Sequence, residues 1–196
     1  FMQGELDLPA FQARVERAIG RNMLVLQRLE LLLKFIVKHC RVEGDHDHFV
    51  AAKGKQDVVV TNSTLGGLVG KFVDEMLRPA SLLGAMEDFE TPARSLAPQI
   101  ALGFSVTVPA EFREAKRSSL AHVVAQRNRL IHHFLPSFDL TSVAGCGEAL
   151  KHLEEQQQEI FSELEFLRHL ADGLRETKQK LAAFLTTPEF EERLLH

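Results

Sequence analysis

The sequence has little of what would mark a secreted, membrane-spanning or nucleic-acid-coating protein. Its two cysteines, Cys40 and Cys146, form neither a disulfide framework nor a zinc-ligand spacing, so we expect reduced thiols. The longest apolar run, near Leu31–Val37, is interrupted by Lys34 and is much shorter than a bilayer requires. The basic and then apolar segment of a secretory signal is also missing. We therefore expect a cytoplasmic protein that does not enter a membrane.

Basic residues are slightly outnumbered by acidic ones, and several of them are concentrated in one segment of the chain. The chain carries 23 Lys and Arg against 27 Asp and Glu, and this net charge of −4 argues against coating nucleic acid by bulk electrostatics. With 45% hydrophobic and 26% charged residues, the composition is that of a globular protein. Residues 113–133 depart from this average, because they hold five cations and one carboxylate: Arg113, Lys116, Arg117, Arg127 and Arg129 against Glu114.

Apolar residues at helical spacing predict the first half of the fold. The first helix begins after Asp7 and continues to about Val42. Residues 43–49 are predicted to be a loop from their glycine and aspartate content, and the stretch from there to Ser63 has little helical pattern apart from a short Val58–Val60 run. A second helix is predicted for roughly 64–78, and an extended segment for 104–108.

The last helix, about 142–186, has the most regular pattern. Its seam positions alternate steps of three and four over five heptads, and only Gln157 and Lys178 among them are polar: 150, 153, 157, 160, 164, 167, 171, 174, 178, 181 and 185. Such a series forms either the seam of a bundle within the chain, which we favour because the other helices need a partner, or a dimerisation seam. The pattern predicts an all-α, up-and-down bundle of about four main helices with a long C-terminal helix, in which residues 1–196 form a single domain.

The third helix, about 110–135, is bracketed by Pro109 and Pro136 and carries the basic stretch. An ideal helix places four apolar residues in one narrow arc: Leu120, Val124, Ile131 and Phe134. Arg127 falls inside that arc, so its guanidinium reaches past the core edge, pairs with a carboxylate, or faces a cleft. Asn128 and His132 are one turn apart on a neighbouring face.

The segment Arg127-Asn128-Arg129-Leu130-Ile131-His132 resembles the signature of the HEPN family of all-α domains. That signature is an arginine, four to six residues and a histidine, often with a polar residue directly after the arginine. The spacing alone is weak, since Arg41 to His46 and Arg117 to His122 repeat it. Only the copy at 127–132 adds the asparagine, an arginine on the apolar face and a histidine near the helix end, where the helix dipole favours imidazolium.

This resemblance implies a metal-independent endoribonuclease that acts as a homodimer without a cofactor, in a toxin or defence system with an antitoxin or another protein partner. In RNA cleavage by the neighbouring 2′-hydroxyl, Arg127 would bind the phosphate, His132 would transfer protons, and Asn128 would orient the histidine or contact the phosphate. Arg129 and His133 are candidate substrate-binding residues. Some toxins of the family carry a modified tyrosine two residues after the motif histidine, but this chain has Phe134 there and no tyrosine at all.

Three alternatives stay open at this level. In the first, the domain is a non-catalytic HEPN-like module that binds RNA or a protein partner. In the second, it is a coiled-coil adaptor that uses its last helix. In the third, Arg127 pairs with a glutamate within 154–159 and the two histidines only cap their helix. The acidic and histidine-rich loop 45–48 is a weak metal-site candidate, and the glycines of 64–70 do not form a phosphate loop.

Overall fold

The computed structural model describes residues 7–45, 49–80 and 99–190. Helices dominate this part of the chain, with four short strands between them. In chain order the elements are α1 (Leu8–Cys40), β1 (Arg41–Asp45), α2 (Phe49–Thr61), α3 (Leu65–Lys71) with a π-helical turn (Phe72–Met76), β2 (Leu77–Pro79), β3 (Gln99–Gly103), β4 (Val106–Val108), α4 (Ala110–His132), α5 (Phe134–Ser137) and α6 (Val143–Phe184).

The two longest helices, α1 and α6, pack side by side in the same direction. Successive contacts along them pair Gln12 with Leu140, Asn22 with Leu153, and Phe35 with Arg175. The apolar series of α6 is buried from Leu150 to Leu174, with Gln156 and not Gln157 on the inner side. The heptad series is therefore used within the chain, as the preferred interpretation of the sequence predicted.

Helix α4 runs antiparallel to α6 and completes the bundle. Lys116 near its start contacts Glu163, whereas Gln126 near its end contacts Gln156. The predicted all-α helical bundle with a long C-terminal helix is thus confirmed. None of the described helices has the length and apolar character needed to cross a membrane.

A buried amide network joins the three long helices. Asn22 of α1 donates from Nδ2 to the Leu153 carbonyl at 2.8 Å and to Gln156 Oε1 at 2.9 Å. Gln156 donates in turn to the carbonyl of Gln126 in α4 at 3.3 Å. Buried amides form hydrogen bonds only when the helices have the correct separation and axial position. This network therefore sets the register of α4 against α1 and α6.

Two regions differ from the sequence-based expectation. The predicted loop at 43–49 begins within β1, which pairs antiparallel with β3, and the stretch up to Ser63, where little helical pattern was seen, contains α2. A tertiary contact holds α2 in place, since Lys53 donates to the carbonyl of Lys38 near the end of α1, and Lys53 also pairs with Asp57 one turn along α2 itself. The predicted second helix is confirmed over 65–76, but its final turn is π-helical and leads into β2, which pairs in parallel with β4.

A tight corner, formed by residues 138–142 between α5 and α6, sets the direction in which α6 leaves α4 and α5. Ser142 caps α6, because its hydroxyl accepts the Gly145 amide at 3.1 Å. A Cβ at position 145 would lie 2.0 Å from the carbonyl oxygen of Asp139, which no side chain tolerates. Gly145 is therefore required by the close approach of the chain at this corner.

Candidate functional site at the end of helix α4

The first half of the basic stretch is neutralised by carboxylates. Arg113 and Arg117 each place an Nη2 atom 2.8 Å from the same oxygen of Asp74. Lys116 donates to both carboxylate oxygens of the buried Glu163, at 3.0 and 3.1 Å. These cations therefore stabilise the fold by fixing α4 to the π-helical turn and to α6.

The second half of the stretch has no such partners. Within the described parts of the chain, Arg127, Arg129, His132 and His133 form no ion pair with a carboxylate. The alternative in which Arg127 pairs with a glutamate within 154–159 is not found among the described residues, where Glu159 contacts His122 and Gln126. The C-terminal end of α4 therefore carries uncompensated positive charge on an acidic protein.

Arg127 lies half-buried beside a cleft of about 370 Å³ between α1, α3 and α4. Besides Arg127, the cleft is lined by Met23, Leu26, Gln27, Glu30, Leu31 and Leu65. The predicted apolar arc is rotated in the structure, since Val123 and Leu130 are buried whereas Ile131 is 41% exposed. Arg127 remains on the inner side of the helix, at its edge. Its guanidinium faces a cleft, one of the three arrangements that the sequence allowed.

Asn128 connects Arg127 to the exposed face of α4. The Nη1 atom of Arg127 donates to Asn128 Oδ1 at 3.2 Å, and His132 lies one helical turn beyond Asn128. Arg127 and His132 are about 140° apart around the helix, so within one chain they do not face each other. The structure therefore brings together two of the three proposed catalytic residues, Arg127 and Asn128, and leaves His132 exposed beside them.

Arg129 lies on the opposite side of α4 from Arg127, at a smaller cavity of about 170 Å³. His133 ends the helix, where its amide donates to the Arg129 carbonyl at 2.8 Å and its own carbonyl accepts the Ser137 hydroxyl. The rings of His132 and His133 are 6.3 Å apart between centroids. The two candidate substrate-binding residues thus lie at the end of α4 but not on the Arg127 face.

No sequence pattern selects the other residues of this smaller cavity. They come from α4, α5, the corner and α6: Leu130, Phe134, Ser137, Phe138, His152 and Gln156. His152 lies between two seam positions of α6, where a polar residue is ordinary. Only the corner that brings α5 against α6 gives these side chains a common site.

The other candidate sites gain no support as metal or phosphate sites. The described residues contain no group of three or more His, Cys, Asp or Glu that could hold a metal ion. Residues 46–48 of the acidic loop lie outside the described residues. The glycine-containing segment at 64–70 forms nearly all of α3, with Thr64 as its cap. Both cysteines are buried thiols.

Comparison of the chain with protein-family models, curated proteins and solved structures found no match in any of the three. What the chain can do is therefore inferred from its own side chains, above all from those at the C-terminal end of α4.

Proposed function

We propose that the protein is a metal-independent endoribonuclease of HEPN-like chemistry. One observation carries this proposal: the arginines and histidines at the end of α4 have no carboxylate partner in the described structure, whereas Arg113, Lys116 and Arg117 on the same helix all have one. A guanidinium without a carboxylate partner keeps its planar set of donors available, and that set matches the oxygens of a phosphate.

The chemistry that fits these residues is attack by the RNA 2′-hydroxyl on the adjacent phosphorus. A bond forms from the 2′-oxygen to phosphorus and the bond to the 5′-oxygen breaks, which leaves a cyclic phosphate and a 5′-hydroxyl. One histidine takes the 2′-proton and a second gives a proton to the departing oxygen. Arg127 holds the phosphate oxygens, and Asn128 fixes the guanidinium through their hydrogen bond.

A homodimer supplies the second histidine in this proposal. A single chain holds Arg127 and His132 on different sides of α4, so a site with both groups needs the end of a second α4. Apolar side chains beside the site favour such an association, since Ile131 is 41% and Leu135 71% exposed. We place this activity in the cytoplasm, as a toxin or defence component controlled by an antitoxin or another protein partner.

Cleavage of RNA by the purified protein in EDTA tests the proposal. We expect Arg127→Ala and His132→Ala to reduce the cleavage rate by at least about a hundredfold, the usual effect of removing a charge-stabilising or proton-transferring group. Arg168→Ala is the matched control, because it removes an exposed arginine of α6 that pairs with Glu165. Undiminished cleavage by both site variants would refute the proposed site, and a strictly monomeric wild type in solution would refute the composite arrangement.

A second candidate is a non-catalytic HEPN-like module that binds RNA or a protein partner. The observation that favours it is the position of Arg127, which lines a largely apolar cleft with Met23 and Leu26. This candidate predicts a folded wild type that binds RNA or a protein and leaves RNA intact, with binding weakened by Arg127→Ala.

A further inference from the structure

The cavity of about 170 Å³ between α4, α5 and α6 has the features of a nucleobase site. We propose that it binds one pyrimidine base of the RNA strand, with the phosphate of the same nucleotide held by Arg129. This inference rests on the proposed function for its RNA substrate, and it adds a recognition pocket that is separate from the Arg127 cleft.

The volume of the cavity selects a single ring. An apolar protein cavity of about 150 Å³ accommodates one benzene molecule. A cavity of about 170 Å³ therefore has room for one six-membered ring and its exocyclic oxygen or amino groups. The cavity is open on one side, so the part of a purine beyond its first ring would stay in solvent, whereas a pyrimidine ring would be covered as a whole.

Aromatic rings form the walls of the cavity. The rings of Phe134 and Phe138 are 4.9 Å apart between centroids and are tilted by 43°. Phe138 in turn contacts the ring of His152 at 5.4 Å. Unpaired RNA bases are bound by stacking on such rings, and a partly open aromatic wall offers more to a flat base than to an aliphatic group.

Polar atoms inside the cavity suit the edge of a pyrimidine. His152 lines the cavity, and among the described residues its ring makes only the contact with Phe138. Gln156, which is buried, uses one Nε2 hydrogen for the carbonyl of Gln126 and has a second hydrogen to donate. Together these groups can donate hydrogen bonds to the carbonyl oxygens of a pyrimidine. They can also donate to or accept from its ring nitrogen.

The charge around the cavity favours a nucleotide over a neutral ring. Arg129 lines the cavity without a carboxylate partner in the described structure, and none of the residues that line it is acidic. Arg129 and His132 are three residues apart on α4 and are therefore neighbours on its surface. A nucleotide held here would therefore lie next to His132, on the opposite side of α4 from Arg127 of the same chain.

Binding of fluorescent oligonucleotides tests this inference apart from cleavage. The protein carries His132→Ala, so that RNA stays intact, and anisotropy is measured in EDTA with hexauridylate and hexaadenylate. Stacking itself tolerates any base, so we expect the discrimination to come from the size of the cavity and to give a preference for hexauridylate of about tenfold. We expect His152→Leu and Phe138→Leu to remove most of this preference, and Arg129→Ala to weaken both RNAs alike. Lys151→Ala, which changes the exposed neighbour of His152, should change neither.

Additional ligands identify which part of the nucleotide is recognised. If the protein recognises only the base, hexathymidylate DNA should bind in preference to hexaadenylate, as hexauridylate does. Free uridine monophosphate should compete weakly at the same site. Equal affinity for hexauridylate and hexaadenylate would overturn the inference, as would a preference that survives both His152→Leu and Phe138→Leu in folded protein. If the preference is present but wild-type protein leaves RNA intact, the endoribonuclease proposal fails and the pocket stands. If cleavage depends on Arg127 without any pyrimidine preference, only the pocket fails.

Discussion

The pair Lys116–Glu163 offers the sharpest test of what holds α4 against α6. The side chains are only 18% and 7% exposed, and the ammonium group is 4.3 Å from the centroid of the Phe166 ring. Replacing Lys116 with methionine retains the chain volume but leaves a buried carboxylate with no cation. We expect this change to lower the free energy of unfolding by about 3 kcal/mol, since breaking a buried ion pair strands the remaining charge.

The double variant Lys116→Met/Glu163→Leu separates charge from packing. With both charges gone, the methionine and leucine fill an apolar space beside Phe112 and Phe166, and we expect stability within about 1 kcal/mol of wild type. Urea unfolding followed by far-ultraviolet circular dichroism is the suitable assay, because the chain has no tryptophan or tyrosine to report by fluorescence. Lys151→Met is the control, since its ion pair with Glu155 is exposed and worth about 0.5 kcal/mol or less. A double variant as unstable as Lys116→Met would refute the reasoning and assign the loss to packing.

Three further predictions concern other parts of the fold. Burial lowers the pKa of His39 below its usual 6.5, so the folded state binds fewer protons there and stability falls as pH drops below that value. Between pH 6.5 and about 5, the free energy of unfolding of His39→Gln should therefore fall less than that of wild type. An equal fall in both proteins would contradict this. Arg113→Ala removes the Nε donor to the carbonyls of Val73 in the π-helical turn and Leu77 at the start of β2, and should cost about 2 kcal/mol in urea unfolding, whereas Arg117→Ala should cost less than about 1. Gly145→Ala should lower the melting temperature through its clash with the corner, at a cost of about 3 kcal/mol, while Gly147→Ala, whose Cβ would meet nothing within 4 Å, should raise it. A Gly145→Ala variant as stable as wild type would show that the corner can open.

The long helices could be predicted because their apolar stripes persist over many turns. Predicted boundaries of about 142–186 for the last helix compare with Val143–Phe184 in the structure, and Ser142 acts as its cap. Helix α2 could not be predicted in the same way. Its sequence has no stripe, since Val58 and Val59 are exposed while Val60 is buried. Contacts with α1 and β1, and not an amphipathic pattern, hold it as a helix.

The candidate site shows the same limit at a finer scale. Helical geometry placed Arg127 near the apolar side and Asn128 close to His132, and both placements agree with the structure. The exposure of Ile131 could not be read from spacing, because it depends on where α4 ends and on which helices cover it. The cavity beside Arg129 was also beyond reach, since Phe138 and His152 meet only after the chain has turned.

The corner at Gly145 has a consequence for the evolution of this protein. A side chain at position 145 would collide with the backbone at Asp139. As long as selection preserves the direction of α6, it therefore allows only glycine at this position. Arg127 lines a cleft and His132 is exposed, so a lineage can replace both residues and keep its architecture. We expect divergent homologues to preserve a glycine three positions after the serine that caps the last helix. That pair is a more durable ancestral marker than an arginine and a histidine five residues apart.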